Sequence, residues 1–358
     1  MLLDTATDFF RDKSTVNDVR AQIKTETGFD AGIWQEIVDL GWVGLAIPEQ
    51  FGGSGLGLAG AVCIAEPMGR RLFASPFLST QLAVQALLAG TDAQCAQWLA
   101  QLAGNGVGTV AMVERAGDWN LANCETSISV RGETATLAGT KTFVLNAHVA
   151  DVFVISGLCD GTPALVIVPV SCIPDGALTR QTVIDETRRS SELLLDGIEV
   201  PAANLIVGRA ASVALESIRN AALLLNSAEA CGGIAGALDL IVEYLNSRTQ
   251  FGRQIGSYQA LKHPSVDILI GLERSRSHLY HAASLLHADR NAEVALRMAK
   301  AESSESFAFA GDRAVQFHGG FGFTYECDAQ LYLRRAMWCQ YQFGDAAHHR
   351  KCLAELLL

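Results

Sequence analysis

The chain has 358 residues, 49% of them apolar, and a formal net charge of −11. That length suggests two or three domains, and the apolar share speaks against disorder. The acidic balance argues against nucleic acid or an anionic membrane surface as the main partner. No apolar run reaches the ~18 uncharged residues of a membrane span. The richest stretch, 221–241, is interrupted by Asn226, Glu229, Gly232, Gly233 and Asp239. Nine cysteines are scattered without a CxxC pair, which reads as reduced thiols with no disulfide framework and no zinc site. The opening residues lack the basic-then-apolar order of a signal peptide, so the expected location is cytoplasmic.

Residues 1–105 read helical. In "AGIWQEIVDLGWVGL" the positions Ile33, Ile37, Leu40 and Val43 share one face at helical spacing. "AIPEQFGGSGLGL" then stops the pattern with Pro48 and a glycine cluster. "AGAVCIAEPMGRRL" and "STQLAVQALLAG" resume it. Residues 106–209 change grammar. "TSISVRGETATLAG" alternates around a Gly-Glu turn, and "TFVLNAHVADVFVISG" and "PALVIVPVS" are β-branched and aromatic. "SELLLDGIEVPAANLIVG" adds one more strand and an exit loop. Residues 210–358 return to the helical period, over 211–247, 263–288, 290–318, 328–339 and 345–357. Pro264 suits the first turn of its helix.

Three sequence signals have ordinary explanations. Gly55, Gly57 and Gly60 match G-x-G-x-x-G, but a dinucleotide fingerprint needs a preceding strand. Here a Pro-Glu loop precedes it, so a loop between helices is expected. His348-His349 has no convergent carboxylate or cysteine pair and reads as solvated helix. Ser190-Ser191 and Ser303-Ser304 lack a nucleophile-elbow context.

"SRTQFGRQIG" (247–256) is different. Arg248 at a helix end followed by a glycine could be a simple C-terminal cap. Yet Gln259 follows in "SYQA", and "AVQFHGGFGF" (314–323) later supplies Gln316, Gly319 and Gly320. An arginine with unobstructed glycine amides suits a diphosphate, and glutamine amides suit an adenine edge or a ribose.

These segments, with "LGWVGLAIPEQFGGSGLGL" (40–58), "AEPMGRRLFASP" (65–76) and "DGIEVPAANLIVG" (196–208), resemble in order the motifs of the acyl-CoA dehydrogenase flavoproteins. The resemblance implies an α+β multidomain fold: an N-terminal helical domain (1–105), a middle β-barrel-like domain (106–209) and a C-terminal four-helix-bundle domain (210–358). It also implies FAD as cofactor, an acyl-CoA substrate, electron-transfer flavoprotein as acceptor and a four-subunit assembly. Arg248, Phe251, Gln259, Gln316, Gly319 and Gly320 would contact the diphosphate and adenosine half of an FAD bound mainly by a neighbouring subunit.

The family's α,β-dehydrogenation needs a glutamate to take the α-proton, within about 3 Å of it. At the family's two positions for that glutamate this chain has Phe343 and Ala222. The flavin-ring segments differ as well. "VERAGDWN" (113–120) puts Val113 and Trp119 where hydroxyls are usual, with the indole in volume the ring would need, and "FVL" puts Leu145 in the second segment. What the chain would use for its own ring is altered, and what it would offer a neighbour is kept.

Three readings follow. The first is the non-catalytic subunit of a heteromeric (α2β2) acyl-CoA dehydrogenase, such as those of bacterial steroid side-chain degradation. The second is a self-sufficient homo-oligomeric dehydrogenase with a displaced base. Glu229, one helix face with Ala222 but ~10 Å along it, is the first candidate, and Asp345 the second. A buried contact between helices is the ordinary role for Glu229, and structural roles are expected of Glu66 and Glu114. The third is a flavin-free CoA-thioester binding or scaffold protein.

Overall fold

The computed structural model describes residues 1–288 and 290–358. Six helices come first: α1 (Leu2–Lys13), α2 (Val16–Ile23), α3 (Ala31–Asp39), α4 (Gly57–Arg70), α5 (Phe77–Leu87) and α6 (Asp92–Ala103). Side chains that satisfy free backbone amides start two of them. Thr15 and Asp18 form a capping box on α2, and the Asp30 carboxylate accepts from the Gly32 and Ile33 amides of α3. Helix α3 is shorter than its pattern predicts. It ends at Asp39 and buries Trp34 and Ile37, while Leu40 is 50% exposed and Val43 is buried beyond the helix end. The G-x-G-x-x-G segment leads into α4 with a loop and a 3-10 turn before it, not a strand.

The middle region holds β1 (Gly108–Ala111), β2 (Ser127–Arg131), β3 (Thr134–Ala138), β4 (Thr140–Leu145), β5 (Val152–Cys159), β6 (Thr162–Pro169), β7 (Leu178–Gln181), β8 (Ser190–Leu194), β9 (Ile198–Pro201) and β10 (Leu205–Val207). One sheet runs β10-β6-β5-β2-β3-β9, with β1 parallel to β5. Strands β5 and β6 read as unbroken apolar runs because both of their faces are buried. The second sheet, β4-β8-β7, slips register between Lys141 and Val144. At that slip Phe143 takes φ 53°, a bulge that turns the chain beside the inner site described below. Residues 190–207 give three short strands, not the single one expected, since the Asp196-Gly197 turn and Pro201 divide the run. Strand β7 has a mostly polar, partly exposed pattern that carries no strand signal.

The C-terminal region contains α7 (Arg209–Ser247), a hairpin of β11 (Thr249–Gln250) and β12 (Arg253–Gln254), then α8 (Gln259–His287), α9 (Glu293–Phe317), α10 (Ala329–Tyr341) and α11 (Ala346–Leu357). Helix α8 starts four residues earlier than expected, so Pro264 lies in its second turn. Helix α7 is long and apolar enough to cross a bilayer by composition, but 94% of its most apolar window is buried inside the protein. It is the central core helix. Against α4 its backbone makes direct contact: a Cβ on Gly232 would lie 1.8 Å from the Glu66 carbonyl oxygen, and one on Gly69 2.0 Å from the Glu229 carbonyl oxygen.

Candidate functional site

Two regions carry the residues singled out by the sequence, and they differ in kind. The first faces outward. Helix α7 ends where the Arg248 amide donates to the Tyr244 carbonyl at 2.9 Å and the chain turns extended. The β11–β12 hairpin follows, with Phe251 (φ 53°) and Gly252 (φ 79°) at its tip. That backbone pushes the Phe251 ring out to 90% exposure. Gln259 opens α8, and Gln316 lies in the last turn of α9. Beyond it, Gly319 (φ 62°) and Gly320 stand in open space, where an added Cβ would meet nothing within 4 Å.

All six predicted cofactor contacts are exposed. Among the described residues the Arg248 guanidinium has no hydrogen bond or ion pair. The two halves of this cradle meet through Tyr244 and His318, whose rings stack at 4.1 Å and 25°. Sequence reasoning missed both. The signal was available: a tyrosine four residues before Arg248 and a histidine directly before the glycine pair. A free guanidinium, open amides and outward glutamines can hold a diphosphate carried by another molecule.

The second region faces inward, where Val113, Leu145, Phe143, Gln342 and Phe343 surround a cavity of about 30 Å³. That holds about two waters, whereas cofactor pockets run to roughly 300–1,000 Å³. Three polar groups here are already engaged within the chain. The Thr109 hydroxyl donates to the Leu145 carbonyl at 2.6 Å, the Thr142 amide to the Val113 carbonyl at 2.8 Å, and the Phe143 amide to Gln181 Oε1 at 3.0 Å. The space beside Val113 and Leu145 is too small for an isoalloxazine ring. Trp119 lines a neighbouring cavity of about 430 Å³, and Phe343 borders both.

The larger cavity has Arg219 and Arg297 on its wall. Arg297 grips Glu293 at 2.9 and 3.2 Å, and Arg219 reaches Glu293 at 3.4 Å and Glu216 at 3.6 Å. Glu216 is the one carboxylate among the described residues on that wall, and sequence reasoning passed over it. His349 is not solvated as expected but 1% exposed. Burial first, then the nearby Lys300, pushes its imidazole down to about 3, so it is neutral, with Nδ1 3.4 Å from Arg297. Lys300, fully buried and lowered by burial to about 8, donates to the Cys339 and Gln340 carbonyls at 2.8 and 3.2 Å. It thereby satisfies the end of α10 just before Phe343.

The carboxylates considered as displaced bases have other partners. Glu229 is 1% exposed, accepts from Arg335 at 2.6 Å and also from Arg188, and has the Cys339 thiol 3.9 Å away. Arg335 also binds Asp185, Thr187 and the Leu72 carbonyl. Burial opposes the charge on Asp185, yet Arg335 and Arg188 hold its carboxyl below the usual range. Burial, then Arg335, lowers Arg188 to about 9. Asp345 caps α11 through the His348 amide at 2.8 Å. Ala222 is buried among apolar neighbours. Glu66 accepts from Arg276 at 2.8 Å and Tyr280 at 2.6 Å. Glu114 accepts from the Glu125 and Thr126 amides, the Thr126 hydroxyl and Lys141. Among the described residues no group of three His, Cys, Asp or Glu converges as metal ligands.

Comparison with known proteins agrees with this layout. Residues 1–105 match the acyl-CoA dehydrogenase N-terminal domain, and residues 197–358 match the C-terminal domain. Acyl-CoA dehydrogenase IpdE2 of Mycolicibacterium smegmatis is 30% identical over 319 residues, 89% of this chain and 85% of that protein. The ChsE4-ChsE5 complex of Mycobacterium tuberculosis superposes with a TM-score of 0.90 at 26% identity, over 99% of this chain and 96% of that one. A variant of the Tcur3481-Tcur3483 steroid acyl-CoA dehydrogenase gives 0.85 at 26% identity, again over 99% and 96%. With these matches over nearly its whole length, the chain belongs to the acyl-CoA dehydrogenase family of FAD-dependent oxidoreductases.

Proposed function

We propose that this chain is the non-catalytic subunit of a heteromeric acyl-CoA dehydrogenase. It completes the FAD site of a homologous partner, which carries the glutamate base. One observation carries the reading: the Arg248 guanidinium in the exposed cradle has no internal partner, while the space beside Val113 and Leu145 is about 30 Å³ and the Thr109 hydroxyl and Phe143 amide bordering it are bonded within the chain. Arg248, Phe251, Gln259, Gln316, Gly319 and Gly320 hold the diphosphate and adenosine half of the partner's cofactor. When bound, FAD supplies the hydride acceptor for α,β-dehydrogenation of the acyl-CoA. This chain's part is to bind and orient. Its domains divide at 105/106 and 209/210, the assembly is α2β2 and cytoplasmic, and electrons leave to an electron-transfer flavoprotein.

The likeness to ChsE4-ChsE5 and to a steroid acyl-CoA dehydrogenase supports a partner subunit and a steroid side-chain thioester as substrate.

An absorbance spectrum across the near-ultraviolet and visible tests the proposal. A colourless chain alone and a yellow complex after co-expression with a homologous subunit are expected. A stoichiometric flavin spectrum from the lone chain overturns it. A second reading, a self-sufficient dehydrogenase, rests on Glu216 at the wall of the 430 Å³ cavity. It requires turnover by the lone chain that Glu216→Gln abolishes. The flavin-free scaffold reading gives no role to an unpartnered Arg248.

A further inference from the structure

The outward cradle consists of two segments far apart in sequence, and nothing covalent holds them in register. One is the end of α7 with the β11–β12 hairpin and Gln259. The other is the end of α9 with the Gly319-Gly320 turn. A diphosphate clamped by a guanidinium from one and backbone amides from the other needs both at fixed separation. Displacement by about 1 Å is enough to weaken such contacts severely.

The contact between the segments is specific. His318 is the C-cap of α9 and is 6% exposed. Its Nδ1–H donates at 2.7 Å to the Ala314 carbonyl, which also accepts the His318 amide at 3.4 Å. That bond sets the ring plane and the tautomer. The ring then stacks on Tyr244, in the last turn of α7. Tyr244 in turn accepts the Arg248 amide on its own carbonyl. From Arg248 to Gly319 the path is therefore one hydrogen bond, one ring stack and one peptide. Neither aromatic residue is among the exposed groups that would meet the cofactor.

We propose that Tyr244 and His318 are positioning residues for the partner's FAD. Their stack sets the distance between the Arg248 guanidinium and the Gly319-Gly320 amides, and so governs the adenosine diphosphate half of the cofactor and not its ring. This rests on the shared-site reading above.

The test uses the co-purified heteromeric complex, stripped of flavin and titrated with FAD and with FMN, which lacks the adenosine half. His318→Leu removes the hydrogen bond and the stack, His318→Phe keeps a ring to stack, and Tyr244→Leu removes the other face. FAD affinity is expected to fall at least about tenfold in His318→Leu and Tyr244→Leu, the effect of roughly one hydrogen bond or stack. His318→Phe should fall between these and the unmodified complex. FMN affinity and the melting temperature of the complex should stay near those of the unmodified protein. Unchanged FAD affinity in both leucine variants overturns the proposal, as does an equal loss of FAD and FMN. Arg248→Ala is the control. If it too leaves FAD binding intact, the shared-site reading has failed; if it weakens FAD while the leucine variants do not, only the positioning role has.

Discussion

The cradle at residues 244–259 and 314–323 and the inner space around 113–121, 142–145 and 342–345 are built on opposite rules. In the cradle, polar groups face out and are left unpartnered, as at Arg248, and glycines leave backbone bare. In the inner space the Thr109 hydroxyl and the Thr142 and Phe143 amides are bonded within the chain, and an aromatic side chain, Phe343, lines the cavity. A surface that keeps its binding capacity unspent is made for another molecule. One that spends it internally is made for stability. The difference is what the proposed shared site predicts: one half of a ligand site kept and the other turned to core.

The largest expected effect lies in the buried charge cluster around Glu229. Glu229→Gln removes a charge that faces both Arg335 and Arg188 in a fully buried setting. Loss of one partner from such a cluster typically costs about 3–5 kcal/mol, because the remaining charges stay buried without compensation. We expect a large drop in the denaturation midpoint of this chain. FAD affinity of any complex that still assembles should be unaffected, since Glu229 is remote from the cradle. If Glu229 were instead the base of a self-sufficient enzyme, the same variant would in addition abolish turnover by the lone chain.

Arg248→Ala is the counterpart in the cradle. The side chain is exposed and unpartnered, so folding stability should change by no more than about 0.5 kcal/mol. A charge-assisted contact to a diphosphate is worth about 1.5–3 kcal/mol, so FAD affinity of the complex should fall roughly 10- to 100-fold. Equilibrium dialysis of flavin against the apo-complex reads this directly. Retained affinity would dissolve the contrast between the two regions.

How much of this was legible in the sequence follows the same division. The order helical, β, helical was readable because periodicity shifts from helical to alternating and back, as in "TSISVRGETATLAG" between its Gly-Glu turn. Residues of the cradle were readable because an arginine and a glycine pair outside any apolar pattern have few structural uses. Side chains that act through packing were not. Trp34 in place of Leu40 on the α3 face depended on where the helix stops. The burial of His349 depended on how α11 lies against α9, which brings Arg297 and Lys300 beside it. The partners of Glu229 come from residues 188 and 335, separated by 41 and 106 positions. No local pattern announces such a meeting.

Phe343→Ala sharpens the comparison at an intermediate scale. The ring separates the cavities of about 30 and 430 Å³. Truncation of a fully buried phenylalanine costs about 3–5 kcal/mol; Phe343 is only partly buried, so about 1–3 kcal/mol is expected. Thermal denaturation measures it. The same variant, grown with excess riboflavin, should remain colourless alone, because the inner donors stay committed to Leu145, Val113 and Gln181. Flavin uptake would show that the phenylalanine alone had closed the site.

The effect most diagnostic in acid belongs to Glu114. It pins the start of the loop that carries Trp119 by accepting from the Glu125 and Thr126 amides, while Lys141 Nζ sits 2.7 Å away and fully buried. Burial works against the charge, yet Lys141 and these donors hold the carboxyl down to about 2, from an ordinary 4.5. The folded state therefore binds fewer protons than the unfolded state between those values, and stability must fall as pH falls. The contribution is fully present above about pH 4.5 and is lost as pH drops toward 2. Glu114→Gln keeps the shape and some of the hydrogen bonds but cannot titrate. Its denaturation midpoint should lie below that of the unmodified chain at pH 7, and the gap should close as the pH is lowered through this window. A gap that stays constant would mean that the loop is held by its neutral hydrogen bonds and not by the Glu114–Lys141 charge pair. The inner region would then be a core of hydrogen bonds alone, and less unlike the cradle than its buried charges imply.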